Sequence, residues 1–96
     1  MSLLRHAKKR DENESEIIDA LECIGCTVYP MDTPCDLLVG RGAKNILMEV
    51  KNPKRYSKKT TAQKMFFKTW KGQICIVKTV EEAIAVVTKL TVGNAL

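Results

Sequence analysis

Histidine and aromatic side chains are scarce in this 96-residue chain. His6 is the single histidine. Phenylalanine, tyrosine and tryptophan together make up only 5% of the sequence. One histidine near the start of the chain cannot build a His-ligated zinc site, which needs several protein ligands. It also excludes a hydrolytic mechanism that depends on histidine, so any catalysis must use other side chains.

Long apolar runs are also missing. No stretch approaches the ~20 residues that a membrane-spanning helix needs. Residues 1–10 are basic and lack the apolar segment of a signal peptide, so the sequence predicts a cytoplasmic protein. We expect residues 1–10 to form a weakly ordered basic arm and residues 11–96 to form a single domain with a thin core.

Four cysteines are present, but their spacing does not form a complete metal-binding pattern. Cys23 and Cys26 form one C-x-x-C pair, and no second pair follows at matching distance. Cys23 falls in a helical pattern and Cys75 in an apolar strand pattern. We therefore predict buried thiols in a reducing compartment rather than a zinc or redox site.

The net charge of +5 is unevenly distributed along the chain. Residues 51–71 contain eight lysines and arginines and no acidic residue, whereas residues 11–22 contain six acidic residues. A basic surface beside an acidic pocket suits a polyanion held against a metal ion. A solvated charged surface is the alternative interpretation.

Hydrophobic periodicity predicts seven elements in the order α-β-β-β-α-β-α. This order predicts an α/β fold, a small mixed sheet flanked by helices on both faces. Gly40, Arg41 and Gly42 are expected to form the turn of the central hairpin, and Thr79 to Glu82 resembles a capping box. The predicted helices cover residues 11–24, 60–71 and 79–90, and the predicted strands cover residues 26–30, 36–39, 45–51 and 73–78.

The central hairpin brings two acids and one lysine together. Asp36 begins one strand, and Glu49 and Lys51 lie two residues apart on its partner, so their side chains share a face. Val50 points into the core, while its carbonyl oxygen stays near the same edge. Two neighbouring carboxylates repel each other unless a cation lies between them. Mg²⁺ or Mn²⁺ prefers oxygen ligands, which Asp36, Glu49 and the Val50 carbonyl can supply.

Lys51 completes a candidate hydrolytic centre. Its amine could hold or help deprotonate an attacking water, or neutralise charge on a phosphate. A metal ion beside a lysine is suited to hydrolysing phosphodiesters. The alternative is an ordinary solvated strand face, because Glu-x-Lys is a common pattern.

The arrangement resembles the PD-(D/E)XK nuclease superfamily, and in particular its small stand-alone VRR-NUC members. It is more distantly similar to archaeal-type Holliday-junction resolvases. The features that carry the resemblance span roughly residues 11–90. They are Glu16 in the first helix nine residues before a glycine, Asp36 at the start of a strand, Glu49-Val50-Lys51, Gln63 twelve residues past the lysine, and the final strand and helix.

One residue departs from the family pattern. The family usually has proline directly before the metal-binding aspartate, whereas here Cys35 takes that place and Pro34 lies one residue earlier. The start of the strand could therefore be shifted, although Asp36 itself is unaffected.

The resemblance implies a restriction-endonuclease-like core and a Mg²⁺- or Mn²⁺-dependent endodeoxyribonuclease. It implies that Asp36 and Glu49 bind the metal, that Lys51 is catalytic, and that Glu16 is an additional metal or water ligand. Glu12 and Glu14 remain alternatives to Glu16. Gln63 is implied near the site, although Thr60-x-x-Gln63 is equally a helix-capping box.

DNA contacts are expected from the basic residues around the catalytic strand. Such contacts go to phosphates, so recognition of DNA shape is favoured over recognition of sequence. The residues concerned are Lys54, Arg55, Lys58 and Lys59, followed by Lys64, Lys68, Arg41 and Lys44.

The leading hypothesis is an endonuclease that cuts branched DNA, with the Holliday junction as the first substrate to test. Paired cuts in a two-fold junction need two active sites, which predicts a homodimer. Its interface would involve the final helix and Phe66, Phe67 or Trp70. Three alternatives stay open: a flap, nick-directed or restriction-like nuclease, a non-catalytic nucleic-acid-binding domain, and a metal-free structural protein.

Overall fold

A computed structural model describes residues 12–54 and 59–92, with side chains through residue 90. The predicted order of elements is confirmed, and the observed ends differ from the predicted ones by at most about two residues. The 1–10 arm lies outside the described residues. The elements are α1 (Glu12–Cys23), β1 (Thr27–Pro30), β2 (Leu37–Arg41), β3 (Lys44–Val50), α2 (Thr61–Thr69), β4 (Ile74–Val77) and α3 (Val80–Val92).

The four strands form one mixed sheet in the order β1-β2-β3-β4. β1, β2 and β3 are antiparallel neighbours, whereas β3 and β4 run parallel, so the chain must cross over between them through α2. The Lys51 amide continues the parallel ladder by donating to the Val77 carbonyl at 2.9 Å. The carboxyl ends of β3 and β4 therefore meet at one edge of the sheet.

The turn of the central hairpin begins two residues later than the sequence suggested. β2 continues through Arg41 and pairs with Lys44, which leaves Gly42 and Ala43 as the two turn residues. Both have positive φ, at 55° and 68°. Positive φ at both positions is typical of a type I′ turn, whose twist matches that of the flanking strands. The predicted turn at Gly40 to Gly42 was therefore wrong in position.

α1 and α3 pack on the same face of the sheet and on each other. Ile17 and Leu21 of α1, and Ala83 and Val87 of α3, are spaced by four residues, so each pair points inward from one face of its helix. They meet the apolar side chains of the strands. Those strand residues are Leu37, Val39, Ile46, Met48, Val50 and Val77.

The other face of the sheet is only partly covered. α2 has no buried residue, although Ala62, Phe66 and Trp70 recur at a spacing of four. Trp70 instead stacks on Phe66 with ring centroids 5.1 Å apart and remains 44% exposed. Ile76 on β4 is 47% exposed. The expectation that helices cover both faces is therefore met on one face and only partly on the other.

Side-chain caps begin α2 and α3. Thr60 and Gln63 form a reciprocal capping box at the start of α2. At α3, Thr79 Oγ1 accepts from the Glu82 amide at 3.1 Å, and Glu82 Oε1 accepts from the Lys78 amide at 2.6 Å. The second cap thus resembles the predicted box, with the glutamate reaching one residue further back.

None of the helices in the described ranges is long and apolar enough to cross a membrane.

Candidate metal centre

Asp36 lies just before β2 and its carboxylate is held in place by the neighbouring strand. Asp36 Oδ2 accepts a hydrogen bond from the Val50 amide at 2.8 Å. The backbone carbonyl of Asp36 accepts from the Met31 amide at 2.7 Å, which fixes the chain on the other side. The residue is only 8% exposed. A buried carboxylate with a fixed orientation can serve as a ligand without first being ordered.

Glu49 is the second buried acid at this edge. The ladder between β2 and β3 ends at the pair Leu37–Met48, and Asp36 and Glu49 are the next residues along the chain from that pair. Glu49 is 9% exposed. The two acids therefore lie at the same end of the β2–β3 hairpin.

The thiol of Cys35 lies close to the carboxylates of both Asp36 and Glu49. Burial raises the pKa of Cys35 to about 12, and the charges of Glu49 and then Asp36 contribute to the increase. Both acids must lie close to this thiol for their charges to act on it. Cys35 occupies the position where the family pattern has proline, and it forms part of the buried wall beside the acids.

The side chain and the backbone amide of Val50 face different surroundings. Its side chain belongs to the core that α1 and α3 cover. Its amide points toward Asp36. In an extended strand the N–H and C=O of one residue point in roughly the same direction, so the carbonyl also lies on the Asp36 side of β3.

Lys51 ends β3 and is anchored through its backbone. The Asn13 side-chain amide donates to the Lys51 carbonyl at 2.9 Å and to the Lys78 carbonyl at 3.2 Å. Asn13 therefore ties the start of α1 to the carboxyl ends of both β3 and β4. The sequence offered no signal for this residue, because its partners lie 38 and 65 positions away.

The buried acid of α1 is Glu14, not Glu16. Glu14 is 4% exposed, whereas Glu16 is exposed to solvent. Glu14 lies three residues before Ile17 and seven before Leu21, so helical geometry places all three on the inward face. Glu16 lies off that face, and the structure does not bring it toward the sheet. The helical spacing was the signal that could have identified Glu14.

Lys59 approaches the centre from the loop before α2. Its side chain lies near enough to Lys51 and Glu49 for their charges to act on it. Its Nζ also lies over the ring of Phe67, 4.6 Å from the centroid. Burial, followed by the nearby charge of Lys51, lowers the pKa of Lys59, while Glu49 opposes the decrease. The sequence predicted Lys59 as a DNA contact and did not predict its position beside Lys51.

Gln63 caps its own helix. Its Oε1 accepts from the Thr60 amide at 3.1 Å, and its amide donates to Thr60 Oγ1 at 3.1 Å. The capping interpretation of Thr60-x-x-Gln63 is confirmed. The described contacts of Gln63 do not join it to Asp36 or Glu49.

The remaining predicted DNA contacts are dispersed. Arg41 lies at the opposite end of β2 from Asp36, and its Nη1 donates to the Ile24 carbonyl at 2.9 Å. The structure therefore does not bring Arg41 to the acids. Lys54 and Lys64 are exposed. Arg55 and Lys58 lie outside the described residues.

Oxygen donors dominate this edge of the sheet. Within residues 12–54 and 59–92, no three His, Cys, Asp or Glu side chains form a group able to hold a metal ion. The candidate donors are two buried carboxylates, from Asp36 and Glu49, and the Val50 carbonyl. Mg²⁺ is commonly held by one or two carboxylates, with waters and phosphate oxygens completing its shell. The chemistry of the donors therefore fits a hard divalent cation.

No protein-family model matches the chain, and no curated protein or solved structure is significantly similar to it. The described part of the chain is a small α/β domain with a four-stranded mixed sheet and three helices. The resemblance to the nuclease superfamily remains a prediction that rests on residues of this chain.

Proposed function

We propose that this protein is a divalent-metal-dependent DNA endonuclease with a restriction-endonuclease-like core. The observation that carries the proposal is the 2.8 Å hydrogen bond from the Val50 amide to Asp36 Oδ2, which fixes one buried carboxylate beside the end of β3, where Glu49 is also buried. Lys51 follows two residues later at the same edge. Two acids and an amine thus occupy one end of the sheet.

The burial of these acids favours a functional role. Removing a carboxylate from water costs several kcal/mol unless other groups compensate, and two adjacent carboxylates add mutual repulsion. An ordinary strand face would leave Glu49 in solvent. A site that binds a cation offsets both costs, which is why the arrangement supports metal binding.

In the proposed reaction Asp36, Glu49 and the Val50 carbonyl would hold the cation. When bound, it would act as a Lewis acid on the phosphate and lower the pKa of a bound water. Lys51 would orient the attacking water or stabilise charge that develops on the phosphate. The Asn13 hydrogen bond to the Lys51 backbone would keep that amine at the strand edge.

The proposed substrate is branched DNA, with the four-way junction first. The basic stretch of residues 51–71 supports phosphate contacts without sequence reading. Paired cuts require two sites, so we propose a homodimer. The exposed apolar side chains of Trp70 and Ile76 support an interface on the partly covered sheet face. Sedimentation that gives only monomer at working concentration would contradict the dimer.

The direct test is cleavage of a labelled four-way junction in Mg²⁺ or Mn²⁺. We expect cleavage by the full chain, loss of cleavage with retained binding in Asp36→Asn, and normal cleavage in Asp19→Asn, which removes an exposed acid from α1. Linear duplex, flap and nicked substrates with equal flanking sequence test structure preference. If the unaltered protein binds these DNA substrates but does not cleave them, it is instead a non-catalytic nucleic-acid-binding domain.

A further inference from the structure

β4 is an edge strand without the features that keep such strands from pairing. It is the last strand of the sheet that the described residues form, so its outer side, away from β3, has no neighbouring strand there. The strand consists of Ile74, Cys75, Ile76 and Val77, with no charge and no proline. Ile76 is 47% exposed. Proteins usually protect a sheet edge with lysine, proline or a bulge, because an apolar edge strand pairs readily with another strand.

The ladder to β3 shows which backbone groups of β4 point outward. The carbonyls that accept from β3 and from its end are those of Gln73 and Val77, at 3.1 and 2.9 Å. Backbone groups alternate in direction along a strand, so the amides and carbonyls of Ile74 and Ile76 point to the outer side. The amide and carbonyl of Lys78 are already bonded within the chain. The outward row of β4 therefore comprises four groups.

The helix-covered side of this strand is apolar and carries charges of both signs. A groove between β4 and α3 includes Cys75, Val86, Lys89 and Leu90 in its lining. Glu82, Val86 and Lys89 occupy positions i, i+4 and i+7 of α3, so they share the face of the helix beside this groove. Glu82 lies in the first turn of α3 and Lys89 in the last.

We propose that β4 pairs in antiparallel orientation with β4 of a second copy, in a register centred on Cys75. Ile74 of each copy then lies opposite Ile76 of the other, and all four outward backbone groups of each strand form hydrogen bonds. A register centred on Ile76 would instead place Ile74 opposite the occupied backbone of Lys78. The pairing rests on the homodimer of the proposed function and assigns its contact surface.

A second copy matches this surface in shape and in charge. The added strand must be apolar on both faces, because Ile76 is exposed on one face and the groove lies on the other. β4 itself has that pattern. The two-fold axis also reverses the direction of α3, which brings Lys89 of one copy toward Glu82 of the other. Opposite charges at both ends of the contact favour this partner and this orientation.

The pairing places both candidate metal centres on one face of a continuous eight-stranded sheet. A two-fold axis through Cys75, perpendicular to the sheet, keeps each face on its own side. Glu49 lies beside Ile76 in the ladder between β3 and β4. Strand spacing and rise then put the Cα atoms of the two Glu49 residues roughly 15 Å apart. One branched DNA can therefore reach both centres from the same side.

Sedimentation equilibrium of the full chain measures the dimer. We expect its dissociation constant to rise at least about tenfold in Ile76→Lys, which puts a charge into the apolar pairing surface. Tyr29→Lys is the matched control, because Tyr29 is 62% exposed on β1, the opposite edge strand, and should leave the dimer unchanged. Lys89→Glu should also weaken the dimer, whereas Lys68→Glu, at an exposed position of α2, should not.

Oxidative cross-linking tests the register. Directly opposite residues in a non-hydrogen-bonded antiparallel pair have Cα atoms about 4.5 Å apart, within the range of a disulfide. Mild oxidation with copper phenanthroline should therefore give a covalent dimer that Cys75→Ala abolishes and Cys23→Ala, at an exposed cysteine, leaves intact. A dimeric sample that forms no cross-link through Cys75 would overturn the proposed register.

An unaltered chain that stays monomeric would overturn the proposal, as would equal dissociation constants in Ile76→Lys and Tyr29→Lys. Loss of the dimer in Trp70→Ala but not in Ile76→Lys would move the contact to α2 and overturn it as well. Circular dichroism and cooperative unfolding check that each variant is folded. Ile74→Lys provides a second substitution in the pairing surface if Ile76→Lys is not.

Junction cleavage separates failure of this contact from failure of the proposed function. If the unaltered chain cuts DNA but its dimer does not respond to Ile76→Lys, the β4 contact is wrong and the nuclease stands. If the chain forms the dimer linked through Cys75 but does not cut, the nuclease is wrong and the contact stands. With both correct, Lys89→Glu converts a cruciform plasmid mainly to nicked circles, whereas the unaltered chain yields linear DNA.

Discussion

The carboxylate of Asp36 accepts the backbone N–H of Val50 at 2.8 Å, and so joins the start of β2 to the end of β3. One acid of the candidate centre therefore also has a structural role. Its oxygen satisfies a buried amide that has reached the end of the β2–β3 ladder. The structural and chemical contributions of Asp36 can be separated by the choice of substitution.

Asp36→Ala and Asp36→Asn should differ in stability although both remove the charge. Asparagine keeps a carbonyl oxygen that can accept from Val50, whereas alanine leaves the buried amide without this acceptor. We expect Asp36→Ala to be less stable than Asp36→Asn by about 1–3 kcal/mol. Urea denaturation measures the difference. Equal free energies of unfolding would show that the hydrogen bond contributes nothing to stability.

Asn13→Ala should loosen the start of α1 from the sheet. The substitution removes the donors to the Lys51 and Lys78 carbonyls, and we expect a loss of about 1–3 kcal/mol in the free energy of unfolding. Ser15→Ala, an exposed position on the same helix, should change stability by no more than about 0.5 kcal/mol.

Cleavage by Asn13→Ala should also decrease at a temperature where the variant remains folded, because the backbone of Lys51 is less firmly held. Unchanged cleavage would contradict a positioning role for Asn13.

Glu14→Gln and Glu16→Gln test which acid of α1 serves the centre. Glutamine keeps the shape of either side chain and removes only the charge. The buried position of Glu14 predicts a decrease in cleavage of about 10–100-fold for Glu14→Gln, the size typical of groups that support a metal site. The exposed Glu16 should tolerate the change. A larger loss of cleavage in Glu16→Gln than in Glu14→Gln would restore Glu16 as the α1 ligand that the family resemblance implies.

The raised pKa of the Cys75 thiol predicts a loss of stability at alkaline pH. Burial raises its pKa from 9.0 to about 11, so the unfolded thiol releases its proton at lower pH than the folded one. Between pH 9 and 11 the unfolded state binds fewer protons than the folded state, and stability falls as pH rises. The decrease should be shallower in Cys75→Ala and unchanged in Cys23→Ala, which alters an exposed cysteine.

Urea denaturation across that pH range provides the measurement. A slope that does not depend on Cys75 would show that its folded and unfolded pKa values are the same.

Local patterns predicted the elements of this fold well because short-range chemistry determines them. The apolar run around Ile74 to Val77 became β4, and Thr60 and Gln63 formed the expected cap. The position of Asp36 and Glu49 at the same end of the hairpin followed from strand pairing and a short turn. The turn itself was misplaced, because Ala43 adopts a positive φ that favours glycine.

Tertiary contacts account for what the sequence did not predict. Asn13 and Lys59 acquire their roles from partners on other elements, and no local motif marks either residue. Glu14 was identifiable from helical spacing, but the family resemblance favoured Glu16. Phe66 and Trp70 recur at helical spacing, yet they stack on each other and α2 buries no residue.

Paramagnetic broadening by Mn²⁺ tests the central claim most directly, because it detects even weak binding and locates the ion. In amide NMR spectra of the full chain, substoichiometric Mn²⁺ should broaden the signals of Asp36, Glu49 and Val50 first, and Glu49→Gln should weaken that effect. Broadening strongest at exposed acids such as Glu81 and Glu82 would contradict a metal site at this edge of the sheet. Broadening spread evenly over signals from the whole domain would contradict it as well.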